Sequence, residues 1–259
     1  MINNYFMYAY QGSSSGYLIL SEYKSFILLN PFTRRMMVIN HSPFEVDIYG
    51  FACQVLLVFS RGSTEFDLVV LFKIYHNLHV YQSRNLDWVT YLTSHKVVDF
   101  VVLHNTIYVV TNKANIGILN LNSANIIFLE FKSTRSVTPA MSHVRLVRCD
   151  EYLLVLNIRS NAIFNVYKID FSTMNYVKLK TLDDIALFYA PEKRYYALTN
   201  PHMWGYKNNN VYVIDLPSDK YIEYKGDDNK MPKLVLPIGY GTSPSKQPYL
   251  DWYFRHLHY

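Results

Sequence analysis

The chain has 259 residues and a mass of 30.5 kDa; 50% of its residues are hydrophobic and 17% charged, with 24 Tyr, 15 Phe and 3 Trp against 9 Gly. Such a composition excludes a disordered chain and supplies the apolar surface for a substantial core. The net charge of +5 is spread along the sequence with no cationic run longer than Arg34-Arg35, which argues against a nucleic-acid surface, and no apolar run reaches the ~18 residues that a membrane span needs.

In chain order, the pattern is one of short β-branched or aromatic runs ended by Asn, Gly, Asp, Ser or Pro. Gly12-Ser13-Ser14-Ser15-Gly16 lacks nucleophile-elbow spacing and reads as a flexible opening loop. Strands are expected at Tyr17–Leu20, Phe26–Asn30 and Arg35–Ile39. Between the last two, Asn30-Pro31-Phe32-Thr33-Arg34 reads as a turn whose Asn and Thr bond the main chain, with Phe32 plugging a junction between sheets. Further strands follow at Ala52–Phe59, Phe66–Phe72, Leu78–Gln82, Trp88–Leu92, Val97–Leu103, Thr106–Thr111, Gly117–Leu121 and Ile126–Phe131. After a polar break at Lys132–Pro139 come Val144–Val147, Tyr152–Asn157, Phe164–Ile169, Tyr176–Leu179, Ile185–Tyr189, Tyr195–Leu198, Asn210–Ile214 and Tyr221–Tyr224. No window of a dozen residues sustains a helical period. Asn is expected to carry much of the left-handed turn chemistry that Gly usually supplies.

A weak internal repeat chooses among the all-β architectures. Gly117-Ile118-Leu119-Asn120-Leu121-Asn122, Val166-Tyr167-Lys168-Ile169-Asp170-Phe171 and Val211-Tyr212-Val213-Ile214-Asp215-Leu216 each run from an apolar strand into Asn or Asp, an apolar residue and a turn. Their spacing of about 45 residues is that of a four-stranded propeller blade. The expectation is therefore one β-propeller domain over residues 1–259, with five or six blades of four-stranded antiparallel sheets. Strands from both termini, including the segment around Trp252 and Phe254, would complete it.

The same residues carry a family resemblance. Gly16-Tyr17-Leu18-Ile19-Leu20 followed by Leu29-Asn30-Pro31-Phe32-Thr33-Arg34-Arg35 resembles the “G-W-L … N-P-F-T-R” opening of the plant F-box-associated β-propellers of the KIB type. Asp99-Phe100 with Asn105–Thr111, Glu151–Val155 with Phe164–Asp170, and Leu182–Phe188 followed by Asn210–Asp215 are similar to later family segments in the same order, as is Asp251-Trp252-Tyr253-Phe254 at the close. Asp183 departs from the usual Gly of that pattern. The resemblance implies an intracellular, cytoplasmic or nuclear, protein-interaction propeller that holds a client protein for a ubiquitin ligase. Family members begin with an F-box that docks the Skp adaptor; with the opening at Gly16 the expectation is that no F-box is present, so that the adaptor binds only if one is supplied upstream.

Chemistry-bearing residues are sparse. His76 and His79 fall on opposite faces of a strand, His256 and His258 lack a Cys or carboxylate companion, and adjacent acids such as Asp183-Asp184 and Asp227-Asp228 diverge rather than converge. Gly239-Tyr240-Gly241-Thr242-Ser243-Pro244-Ser245-Lys246 fits no phosphate-binding pattern. Cys53 and Cys149 read as buried thiols. No catalytic residue, metal or cofactor is expected. The alternatives are a propeller enzyme with channel-lining carboxylates and a nucleic-acid-binding β domain. Candidate partner contacts are Trp204 and Tyr206, large aromatics in a loop rich in Pro and Asn, and Arg159, a loop cation of the hairpin Ile158-Arg159-Ser160-Asn161.

Overall fold

The computed structural model describes residues 8–45, 53–59, 62–72, 77–91, 95–132, 144–159, 162–189, 195–215 and 220–226. These form two compact units, one holding the described residues up to 91 together with 121–125, the other 95–120 and 126–226. Among the described residues the regular structure is twenty strands and one short helix: β1 Ala9–Ser14, β2 Tyr17–Glu22, β3 Ser25–Leu29, β4 Met36–Ile39, β5 Cys53–Phe59, β6 Phe66–Phe72, β7 Asn77–Gln82 and β8 Asp87–Tyr91 in the first unit; β9 Val97–Leu103, β10 Thr106–Thr111, β11 Ile116–Asn120, β12 Asn125–Phe128, β13 Val144–Cys149, β14 Tyr152–Arg159, β15 Ala162–Asp170, β16 Asn175–Lys178, β17 Ile185–Tyr189, β18 Tyr195–Thr199, β19 Asn210–Asp215 and β20 Lys220–Lys225 in sequence after it. They pair into five four-stranded sheets, all-β as expected.

Four sheets are consecutive antiparallel meanders, in the orders β1-β2-β3-β4, β5-β6-β7-β8, β9-β10-β11-β12 and β13-β14-β15-β16. The fifth runs β18-β17-β19-β20, and β17 and β19 are parallel. In the first unit β1 lies beside β5; in the second, β9 lies beside β13 and β13 beside β18.

Period-two patterning explains which face each strand buries. In β2, Tyr17, Ile19 and Ser21 are buried while Leu18, Leu20 and Glu22 are only half-buried. In β6 all seven residues are buried, since this strand is covered on both faces. The first unit's core gathers Ile19, Phe26, Leu28, Leu57, Leu68 and Val70. Phe44 seals it from the segment after β4, its ring 4.5 Å from His79, 5.5 Å from Trp88 and 6.1 Å from Phe26. In the second unit, one core gathers around Leu154, Leu156, Leu187 and Val211, and another around Val110, Ile116, Leu153 and Val155.

Polar side chains tie neighbouring leading strands together. Ser14 Oγ accepts from Leu57 N and donates to Leu57 O, both at 3.0 Å, and Ser15 Oγ donates to the same carbonyl at 2.8 Å. Asp99 does the corresponding work between β9 and β13: one carboxylate oxygen accepts from Phe100 N at 2.8 Å and the other from Leu146 N at 2.9 Å.

Several expectations are revised. The segment Gly12–Gly16 is no loose loop: it ends β1 and turns into β2, with a bulge between Tyr10 and Gly12. Phe32 plugs no junction; it is 70% exposed. Left-handed backbone is shared widely, by Asn105, Asn200 and Asn209 but also by Tyr23, Arg34, Leu86, Ala114 and Met174 among others. The turn role of Asn30 and Asp170 holds, each accepting from the main-chain N–H groups two and three residues on. Each of these caps follows the third strand of its sheet, and Asp170 is the one that belongs to the repeated segments. Cys53 and Cys149 are buried thiols outside any disulfide, and burial pushes the Cys149 thiol up to about 12. His76, His256, His258, Asp227, Asp228, the loop from Gly239 and the segment around Trp252 lie outside the described residues.

Candidate partner-contact surface

The exceptional strand order of the fifth sheet creates the loop on which the candidate aromatics sit. In the other sheets each strand turns directly into its neighbour, whereas the chain leaving β18 must pass the end of β17 to reach β19. The ten-residue connection 200–209 performs that crossing. Asn200 enters it in left-handed conformation (φ 46°), Pro201 fills the first turn of a 3-10 helix spanning Pro201–Trp204, and Gly205 leaves it at φ 82°. Pro supplies a preset φ where no N–H is needed, and Gly accepts a positive φ without a Cβ clash. Met203 N donates to Asn200 O at 3.0 Å, Gly205 N to His202 O at 3.2 Å and Tyr206 N to Pro201 O at 3.0 Å, closing the loop on itself.

Trp204 and Tyr206 therefore share one loop but play different parts. Tyr206 points inward, its ring 4.8 Å from Phe188 and 5.1 Å from Tyr212, while Phe188 and Tyr212 are stacked at 5.1 Å. Burial and the neighbouring Tyr221 and Tyr212 hold its hydroxyl above the usual phenol range. Lys207 N donates to Tyr212 Oη at 2.8 Å, and Lys207 Nζ pairs with Glu223 at 3.0 Å. The far end is pinned by Asn209, whose side chain accepts from Leu182 N at 2.9 Å and whose carbonyl accepts from Gly226 N at 3.0 Å. Trp204 is 50% and Met203 73% exposed on this frame. Met203 carried no sequence signal beyond its place beside Trp204; the Asn-Pro start and the Gly five positions after Asn200 are the readable marks of the helical turn.

Beside the loop, Thr199 donates to the Asp150 carboxylate and His104 pairs with Glu151. Asn200 N donates to Asp184 O at 2.9 Å. The turns after β9 and β13 and the start of the crossing loop thus lie at one end of the second unit. Arg159 lies at the other: it pairs with Ala162 at the closed end of the β14–β15 hairpin, opposite the turn at 150–151. The structure brings Trp204 and Tyr206 together and leaves Arg159 apart from them.

Asp99 spends both oxygens on main-chain donors. Asp67, in the first unit, is buried, and burial lifts its carboxyl above the usual range. Among the described residues no three His, Cys, Asp or Glu side chains are grouped as metal ligands, and no helix is long and apolar enough to cross a membrane.

A model of the KIB1-4 beta-propeller family matches residues 6–233. The chain belongs to this family. The five sheets are accordingly the blades of a KIB-type β-propeller. No curated protein matches the chain. Among solved structures it is similar to a catalytically inactive virginiamycin B lyase from Staphylococcus aureus with quinupristin, at 10% identity over 90% of this chain and 72% of that one, TM-score 0.46. A protein of the mitotic checkpoint complex is similar at 12% identity over 88% and 61%, TM-score 0.44. AztD from Citrobacter koseri is similar at 12% identity over 65% of this chain, TM-score 0.42; the KIB-type chain spans 46% of that protein.

Proposed function

We propose that this KIB-type propeller is a protein-recognition domain, the client-binding part of an F-box ubiquitin-ligase receptor acting in the cytoplasm or nucleus. The observation that carries the reading is the crossing loop: a self-bonded 3-10 turn, anchored beneath by Tyr206, Phe188 and Tyr212, that holds Trp204 and Met203 out to solvent. A preformed aromatic anchor is what protein interfaces use, because little conformational freedom remains to be lost on binding. The domain acts by binding rather than by chemistry, a reading supported by Asp99, a buried acid already committed to main-chain donors.

The test is quantitative affinity capture with the wild-type chain and with Trp204→Ala and Met203→Ser. At least one captured protein should fall about tenfold or more with either substitution, the loss expected at an interface anchor, while the melting curve stays unchanged. Fusing an F-box module upstream should then make that protein a substrate in a reconstituted Skp–cullin reaction. Capture indifferent to both substitutions would overturn the assignment of this loop.

A further inference from the structure

The turn between β3 and β4 presents a second surface. Asn30 Oδ1 accepts from Phe32 N at 3.0 Å and Thr33 N at 2.9 Å, Asn30 N donates to Arg35 O at 2.8 Å, and Arg35 N reaches Thr33 Oγ1 at 3.4 Å. Four bonds hold the main chain, so the outward side chains are displayed rather than left to wander. Phe32 is the most exposed aromatic among the described residues, at 70%. Arg34 holds a left-handed φ of 56°, a conformation uncommon for a side chain of this size. Both Arg34 and Arg35 are exposed, and neither guanidinium makes a hydrogen bond or ion pair with any described residue. The chain then enters β4, the edge strand of its sheet, where Met36 and Val38 are exposed on one face while Ile39 is buried on the other.

Within seven residues, Phe32 in the turn and Met36 and Val38 on the strand thus flank two cations that have no partner among the described residues, beside a strand edge that no other described strand pairs. We propose that this strip docks a short, extended, acidic segment of a partner protein. Carboxylates of that segment meet Arg34 and Arg35, whose forked donors match a carboxylate in pairs; an apolar side chain covers Phe32; and the segment's main chain pairs along β4 as an added strand. Two cations on one short turn are too few to track a phosphate backbone, where affinity grows with the number of phosphates neutralised. The strip uses none of the crossing-loop residues, so it stands whether or not Trp204 binds a client.

The experiment is selection of displayed random peptides of about twelve residues on the whole chain, followed by fluorescence anisotropy of the selected peptides. The expected peptides alternate Asp or Glu with apolar residues. Their affinity should fall at least tenfold with Phe32→Ala and with the double change Arg34→Glu, Arg35→Glu, should weaken as salt rises, and should be unaffected by Trp204→Ala. All these side chains are exposed, so unchanged melting curves certify folded variants; Met36→Thr and Val38→Thr, which leave the turn intact, should weaken binding as a second measurement. Selection that yields no peptide, peptides without acidic enrichment, or binding indifferent to Phe32 and the two arginines would each overturn the proposal. So would tight binding of a labelled oligouridine that is lost with the same substitutions, since the strip would then be a nucleic-acid contact.

Discussion

His79 stands where a proton is unwelcome. It is buried on β7 opposite Thr90, with Nδ1 2.9 Å from the Thr90 hydroxyl and the Phe44 ring against it, and burial lowers its pKa from 6.5 to about 4. The unfolded chain takes up this proton near pH 6.5 and the folded chain only near 4, so stability is full above 6.5 and is lost as pH falls between the two. The loss is up to about 3 kcal/mol at ~1.4 kcal/mol per pH unit. Melting curves from pH 7 to 4 should show this slope, and His79→Leu should flatten it. Asp170 works in the opposite part of the scale. Hydrogen bonds from the Ser172 and Thr173 hydroxyls hold its pKa down at about 2, so its contribution is present above 3.8 and disappears as pH falls through about 2. Acid titration of Asp170→Asn should lack that component. The caps at Asn30 and Asp170 were legible because an acceptor followed by a polar turn is a local code. The exposure of Phe32 was not, because a hydrophobic residue in a turn says nothing of what lies beyond it.

Strands were legible wherever local patterning and turn chemistry agreed: β6, β9, β10 and β17 match the sequence reading to the residue. β1 escaped it because Gly12 and three serines look like a loop, yet two of those serines, Ser14 and Ser15, clamp the strand end to Leu57. The order of the fifth sheet was illegible for a different reason: nothing local distinguishes a strand that pairs with its successor from one that is passed over. Two substitutions probe this level. A Cβ at Gly117, on β11, would lie 2.5 Å from Ile126 Cγ2 and 3.1 Å from Ile127 O, so Gly117→Ala should push β12 off the sheet and cost about 1–3 kcal/mol in denaturant unfolding. Asp99→Ala leaves the Leu146 N–H without its carboxylate, a loss of about 1–3 kcal/mol; Asp99→Asn, which keeps an oxygen acceptor, should recover part of it.

For the chain as a whole, the strand spacing and the 45-residue repeat made the propeller legible, and several weak motifs in a fixed order made the family legible. The arrangement of the candidate loop was only half so. Trp204 and Tyr206 announced themselves as aromatics outside a strand, but which would face water depended on Phe188 and Tyr212, rings that reach Tyr206 through the sheet and not through sequence proximity. Arg159 lies at the end away from Trp204 because alternate hairpins point in opposite directions, a fact that exists only once strands are paired.

The two cysteines lie one in each compact unit, Cys53 in the first and Cys149 in the second, and both are buried. They amount to a pair of internal clocks. A thiol reacts with an alkylating reagent only as thiolate and only when reached, so in the native protein each should be modified at the rate at which its own surroundings open. Pulse alkylation across a denaturant series, read by mass at each cysteine, should show both protected by at least ~100-fold relative to the unfolded chain at low denaturant. Coincident curves would mean that the blades open as a single cooperative structure, and separated curves that a client bound to one unit can stabilise it without the other's consent.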